Sequence, residues 1–181
     1  TIETVTNSSH TDEEPSIDRS GNKITFNRNG DIFLAQRSSS GFNIQQVTES
    51  IGHTSISSSV SPDGNKIAFS NTDGPYDIFV SDLGGENISN LTESSGYAEG
   101  AVWSPNGSKI AFSTNIDGGS PEIYTMNSGG SGRNRLTNNS AIDWHPAWSP
   151  DGEKIVFTSQ RSGRSEIFVM DSDGSNQMQL T

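Results

Sequence analysis

At 181 residues the chain has room for one well-buried domain and not for two large ones. A net charge of −11 repels phosphate backbones and argues against nucleic-acid binding, while suiting cations, basic partners or plain solubility. The absence of cysteine excludes disulfides, thiolate metal sites and a cysteine nucleophile, and no apolar run approaches the ~20 residues that cross a bilayer.

The first strand-like segment is Thr1 to Thr6, ending in Val5-Thr6. A chain opening at Thr1, with no leader in view, suits a mature, trimmed protein as well as a cytosolic one. The same hydrophobic-Thr pair recurs at Val47-Thr48, Leu91-Thr92, Leu136-Thr137 and Leu180-Thr181, so the threonines stand 42 to 45 residues apart. A period of ~40–45 residues with four strands per repeat is the mark of a β-propeller blade. The expected fold is all-β: four four-stranded antiparallel blades, with an extra strand over 1–6, blade 1 over 7–48, blade 2 over 49–92, blade 3 over 93–137 and blade 4 over 138–181. No segment holds a helical apolar period for ten residues, which predicts no substantial helix.

Within each unit the strands are termed A to D. In unit 4, strand A is predicted over Pro146–Ser149, B over Lys154–Ser159, C over Glu166–Asp171 and D over Gln177–Thr181. The A–B turns Ser61-Pro62-Asp63-Gly64, Ser104-Pro105-Asn106-Gly107 and Ser149-Pro150-Asp151-Gly152 combine a φ-fixing proline with a glycine suited to left-handed φ. Unit 1 keeps only the glycine, in Asp18-Arg19-Ser20-Gly21. The B strands carry Ile-X-Phe (Ile24/Phe26, Ile67/Phe69, Ile110/Phe112, Ile155/Phe157), with Ala68, Ala111 or Val156 on the other face. Strands apolar on both faces suit blades sandwiched between blades.

The strings WSPDGEKIVFTS from Trp148, EIFVMDSDG from Glu166 and the closing Leu180-Thr181 resemble the TolB-type WD-like propeller repeat, strongly in units 2 to 4 and weakly in unit 1. The resemblance implies a propeller. It implies one of three settings: a protein-binding scaffold of the periplasm, a gate propeller of a peptidase, or a module of a secreted or cell-surface protein. Most propellers of this type have more than four blades. The chain therefore either closes as a small ring, forms part of a larger one, or completes a ring with a second copy.

Candidate chemistry concentrates in the D–A connections, expected as loops at one end of the channel. They read Asp12-Glu13-Glu14, Ser55-Ile56-Ser57, Ala98-Glu99-Gly100 and Asp143-Trp144-His145. Asp12, Glu13, Glu14, Glu99, Asp143 and His145 would form an acidic mouth for Ca²⁺ or a basic partner group, against the alternative of solvated loop charge. Trp144 lies outside the core pattern, as a partner contact or as packing over the channel. Asp171-Ser172-Asp173-Gly174 resembles the start of a calcium loop but lacks its later glutamate, and a C–D turn is the simpler reading. Asp12, Asp143, Asp171 and Asp173 are thus the weak metal candidates, with calcium the one cofactor in view. His10 and His53 occupy equivalent positions in their repeats, and a zinc site of His10, His53 and His145 would need three converging blades. No Gly-X-Ser-X-Gly elbow or phosphate loop is present. Sequons at Asn7, Asn87, Asn90, Asn106 and Asn138 are no more frequent than composition predicts. The expected function is a non-catalytic module binding a protein partner, in the periplasm, secreted or at the cell surface. The alternatives are a metal-dependent hydrolase or lyase, or an enzyme's accessory propeller, and a self-assembling subunit that donates strand Thr1–Thr6.

Overall fold

The computed structural model describes residues 4–49, 55–72, 74–93 and 96–181. Blade 1 comprises β1 (Asp12–Ile17), β2 (Lys23–Arg28), β3 (Asp31–Ser38) and β4 (Gly41–Gln46). Blade 2 comprises β5 (Ser55–Val60), β6 (Lys66–Asn71), β7 (Asp77–Asp82) and β8 (Ser89–Asn90). Blade 3 comprises β9 (Ala98–Trp103), β10 (Lys109–Thr114), β11 (Glu122–Asn127) and β12 (Asn134–Arg135). Blade 4 comprises β13 (Asp143–Trp148), β14 (Lys154–Ser159), β15 (Glu166–Asp171) and β16 (Met178–Gln179). Each blade is one antiparallel sheet in sequence order, and the described residues contain no helix.

The A–B turns follow from their residues. Gly21, Gly64, Gly107 and Gly152 all take φ between 70° and 76°, a region open to glycine and strained for other residues. In blade 2 the Ser61 hydroxyl donates to Asp63 and accepts the Lys66 N–H at 2.9 Å. Blade 1 reverses the roles: the Ser20 hydroxyl donates to Asp18, whose carboxylate accepts the Lys23 N–H at 2.9 Å. The worn copy therefore keeps the turn with the two side chains exchanged.

Two elements depart from the sequence expectation. The D strands of blades 2 to 4 shrink to two paired residues, whereas β4 of blade 1 runs for six and pairs with β3 along its whole length. Of the expected extra strand, residues 1–3 lie outside the described residues and Thr4, Val5 and Thr6 are not in a strand.

The recurring closing threonine has a direct structural cause. Thr48, Thr92 and Thr137 are buried. Each hydroxyl accepts the N–H of the C-strand isoleucine (Ile32, Ile78, Ile123) and donates to the acid that opens that strand (Asp31, Asp77, Glu122). Thr181 makes the same pair of bonds to Ile167 and Glu166, but in the open. A buried donor and acceptor left without partners cost about 1–3 kcal/mol. Thr137→Val is therefore expected to destabilise by about 2 kcal/mol and Thr181→Val by less than about 0.5 kcal/mol, as read from urea midpoints.

Packing runs from blade to blade through three apolar cores. Ile32 and Leu34 of blade 1 meet Ile67 and Phe69 of blade 2. Ala68, Ile78 and Val80 meet Ile110, Phe112 and Tyr124. Ala111 and Ile123 meet Ile155, Phe157 and Phe168. The Ile-X-Phe face of each blade thus fits the small-residue face of the blade before it. Among the described residues no such core joins blade 4 to blade 1.

Candidate functional site

The A strands of neighbouring blades lie side by side, β1 by β5, β5 by β9 and β9 by β13, and they line the axial channel. Each carries the same irregularity. In β1 the register passes from Glu13↔Asn27 to Ser16↔Thr25, so one extra residue is inserted, and β5, β9 and β13 repeat the shift. The third residue of each strand takes left-handed φ: Glu14 at 49°, Ser57 at 52°, Gly100 at 69° and His145 at 51°. Such a bulge turns a side chain out of the pleat. These four residues, with Pro15 and Pro146 beside two of them, surround a cavity of about 390 Å³. The stretches expected as D–A loops are therefore the first turns of the channel-lining strands. The bulge disguised them, because it breaks the two-residue alternation by which a strand is recognised.

Of the seven residues expected at the mouth, Glu99 lies within electrostatic reach of two others, Glu14 and His145. Glu14 accepts the Ser57 N–H at 2.8 Å through Oε2. Burial holds the Glu99 carboxyl above the ordinary carboxylate value; His145 opposes that shift and the charge of Glu14 adds to it. Glu13 is exposed and Trp144 is half-buried. The Trp144 ring lies 5.7 Å from that of His145, so the indole packs along the strand.

Asp12 and Asp143 serve their own blades. Asp12 takes a two-pronged bond from Arg28, at 2.6 and 2.8 Å, and this bond foremost holds its carboxyl below the ordinary value. The Arg28 guanidinium lies 5.1 and 4.9 Å from the Phe26 and Phe33 rings. In blade 4, Asp143 is wholly buried and its Oδ2 accepts from Arg161 at 2.7 Å and Asn139 at 2.8 Å. Arg161 in turn covers the Phe157 and Phe168 rings, at 5.3 and 4.7 Å. The two blades build the same clamp by different routes. Arg28 comes from the end of a B strand whose loop is only Asn29-Gly30, and Arg161 from a longer B–C loop. Sequence reading passed over both arginines, since nothing in their spacing links them to a carboxylate many positions away.

Asp171 accepts from Lys154 Nζ at 2.8 Å, and that bond leads in holding its carboxyl below the ordinary value. Asp173 accepts the Ser175 hydroxyl and N–H, at 2.6 and 2.9 Å. The loop closes as a C–D turn, with the Gly174 N–H on the Asp171 carbonyl. Among the described residues no three His, Asp or Glu side chains are grouped to hold a metal ion, so the four carboxylates considered for calcium are not brought together. His10 is exposed, and His53 lies outside the described residues.

The chain matches the family model for the TolB beta propeller domain over residues 33–181. No curated protein matches it. Among solved structures it is similar to TolB from Acinetobacter baumannii, with 26% identity over 99% of this chain and 45% of that one, at a TM-score of 0.83. It also resembles an oligogalacturonate lyase solved in complex with manganese (15% identity, 98% of this chain and 55% of that one, TM-score 0.70). A third likeness is a puromycin-hydrolyzing peptidase of Mycobacterium tuberculosis (10% identity, 98% and 29%, TM-score 0.77). The last two likenesses are of fold alone. The chain spans less than half the length of the Acinetobacter protein it matches. With the family model covering most of its length and the repeated blade explaining its turns, cores and closing threonines, the chain belongs to the TolB beta propeller domain family.

Proposed function

We propose that the chain is a non-catalytic protein-binding module of a periplasmic, secreted or cell-surface protein, and that it receives a cationic segment of its partner at the channel mouth. The observation that carries this reading is Glu14 at the wall of the 390 Å³ cavity, with Glu99 close enough to feel its charge, on a chain of net charge −11. The negative charge of Glu14 adds to the cost of ionising Glu99, and an incoming ammonium or guanidinium group relieves that cost. Glu13 and Trp144 stand on the same strands and supply a rim. The likeness to Acinetobacter TolB supports the setting. The enzyme reading draws on the lyase and peptidase likenesses, and it finds no grouped metal ligands among the described residues to support it.

The test is fluorescence anisotropy with a labelled lysine-glycine octapeptide at low salt. Glu14→Gln with Glu99→Gln is expected to weaken binding about tenfold, or about 1.4 kcal/mol; Asp173→Asn, on the distant turn, should leave it unchanged. Equal affinity in all three proteins would remove the mouth as the binding surface.

The same site has a pH signature. A carboxyl whose folded value is raised adds stability at acid pH, which is lost as pH rises through that folded value. Glu99→Gln should therefore raise the melting temperature at pH 7. The gain should disappear below the ordinary glutamate value of 4.5.

A further inference from the structure

One lysine of the repeat lacks both of the counter-charges its equivalents have. Lys23, Lys66, Lys109 and Lys154 open the four B strands. In blade 4, Lys154 is ion-paired with Asp171 at 2.8 Å and also feels the charge of Asp151 in its own A–B turn. In blade 2, Lys66 stands opposite Asp82 in the register and shares a 240 Å³ cavity with the turn residue Asp63. Blade 3 has an amide at both places, Asn127 opposite Lys109 and Asn106 in the turn. Among the described residues no acid pairs with Lys109.

Lys109 and Asn106 line a cavity of about 420 Å³ where the A–B turns of blades 3 and 4 meet. Arg19, from the A–B turn of blade 1, brings a second cation to it, again with no paired acid among the described residues. The one acid in the wall, Asp151, already accepts the Ser149 hydroxyl at 2.5 Å and the Glu153 N–H at 3.0 Å. The Asn106 Oδ1 is filled by the Ser104 and Ser108 hydroxyls and the Ser108 N–H, which leaves its amide N–H groups for an incoming acceptor. Trp148 adds an apolar wall, and its Nε1 is held by the Val102 carbonyl at 3.3 Å.

We propose that this cleft at the seam of blades 3 and 4 binds a carboxylate, carried by a small organic acid or by an acidic peptide segment. Two cations against one acid leave a single positive charge, which one carboxylate balances. A phosphate group, at about −1.5 to −2, exceeds it. The guanidinium fork matches the two oxygens of a carboxylate, and the indole suits an apolar carrier beside it. The cleft lies at the opposite end of the blades from the acidic mouth, so the two surfaces take ligands of opposite charge.

The test is isothermal titration calorimetry with benzoate and, separately, with a Glu-Gly octapeptide, with circular dichroism and melting temperature as folding checks on every variant. The wild-type chain is expected to bind at least one probe saturably at low salt, and to bind inorganic phosphate more weakly. Binding of benzoate shows that a free organic acid suffices; binding of the peptide alone shows that the carrier is a peptide segment. Asn106→Asp installs the residue that blades 2 and 4 carry in the same turn, so it should fold normally and weaken binding about tenfold. Lys109→Gln should weaken it by a similar factor, and Lys66→Gln should leave it unchanged. Glu14→Gln with Glu99→Gln should also leave it unchanged, which separates failure here from failure of the channel-mouth reading. The proposal is overturned if neither probe binds, or if phosphate binds as tightly. It is equally overturned if Asn106→Asp and Lys109→Gln lose no affinity, or if Lys66→Gln loses as much as they do.

Discussion

Gly85→Ala is expected to lower stability by about 3 kcal/mol, enough to cut the folded population sharply at physiological temperature. Gly85 sits in the turn between β7 and β8 at φ 79°, and an L-residue there loses about 1–2 kcal/mol. The larger effect is steric. A Cβ at this position would fall inside the van der Waals envelope of the Val47 carbonyl, part of the backbone of the preceding blade, and overpacking of this kind costs about 1–3 kcal/mol. Backbone cannot rotate away as a side chain can, so blades 1 and 2 would have to separate. Gly130 and Gly174 approach Leu91 and Leu136 in the same way, with Cβ positions 2.9 and 2.8 Å from the carbonyl oxygens. The control is Gly21→Ala, at a similar φ of 73° with nothing within 4 Å, which should lose only the conformational part. Urea midpoints of the two variants separate the contributions; equal losses would show that blade spacing is not set here.

Arg161→Ala should be the most damaging single change to a polar residue, at about 3–5 kcal/mol. It leaves Asp143 wholly buried without its guanidinium partner, and Oδ1 of the same carboxylate already has no hydrogen-bond partner. It also uncovers the Phe157 and Phe168 rings. Adding Asp143→Asn to Arg161→Ala should restore a large part of the loss, because most of it is the cost of a stranded charge. If the double variant is as unstable as the single, the ring contacts carry the effect instead. In the blade 1 clamp the Asp12 carboxyl is held below its ordinary value of 3.8, by the Arg28 bond above all. A lowered folded value adds stability above the unfolded value and loses it as pH falls through the folded one. The gap between wild type and Arg28→Ala should therefore be full at pH 7 and close in strong acid.

What could be read from residues alone follows from how local each signal is. The proline-glycine turns, the Ile-X-Phe strands and the closing threonines each lie within a few positions, and they recur. They placed the B and C strands of blade 4 at their observed bounds. The channel-lining strand of blade 4, expected over Pro146–Ser149, begins three residues earlier, at Asp143, since the bulge at His145 interrupts the alternation that marks a strand. The D strand of blade 4, expected over Gln177–Thr181, was drawn too long, because a Leu-Thr pair looks like strand while its threonine is bonding to the neighbouring strand through its side chain. The site itself was half legible. Glu99 lies within electrostatic reach of Glu14 and His145, but Asp12 and Asp143, two residues before Glu14 and His145, are captured by Arg28 and Arg161. Only tertiary contacts distinguish the two groups.

The inserted residue of each innermost strand has a consequence for how such a scaffold diversifies. It stands outside the hydrogen-bond ladder, so its identity is released from the demands of pairing and interior fit, and only its tolerance of left-handed backbone constrains it. The present chain places an acid, a hydroxyl, a hydrogen and an imidazole at these four positions on an otherwise uniform frame. Each is an address that can be rewritten by a single codon without disturbing the sheet behind it, so relatives sharing one architecture can recognise different molecules.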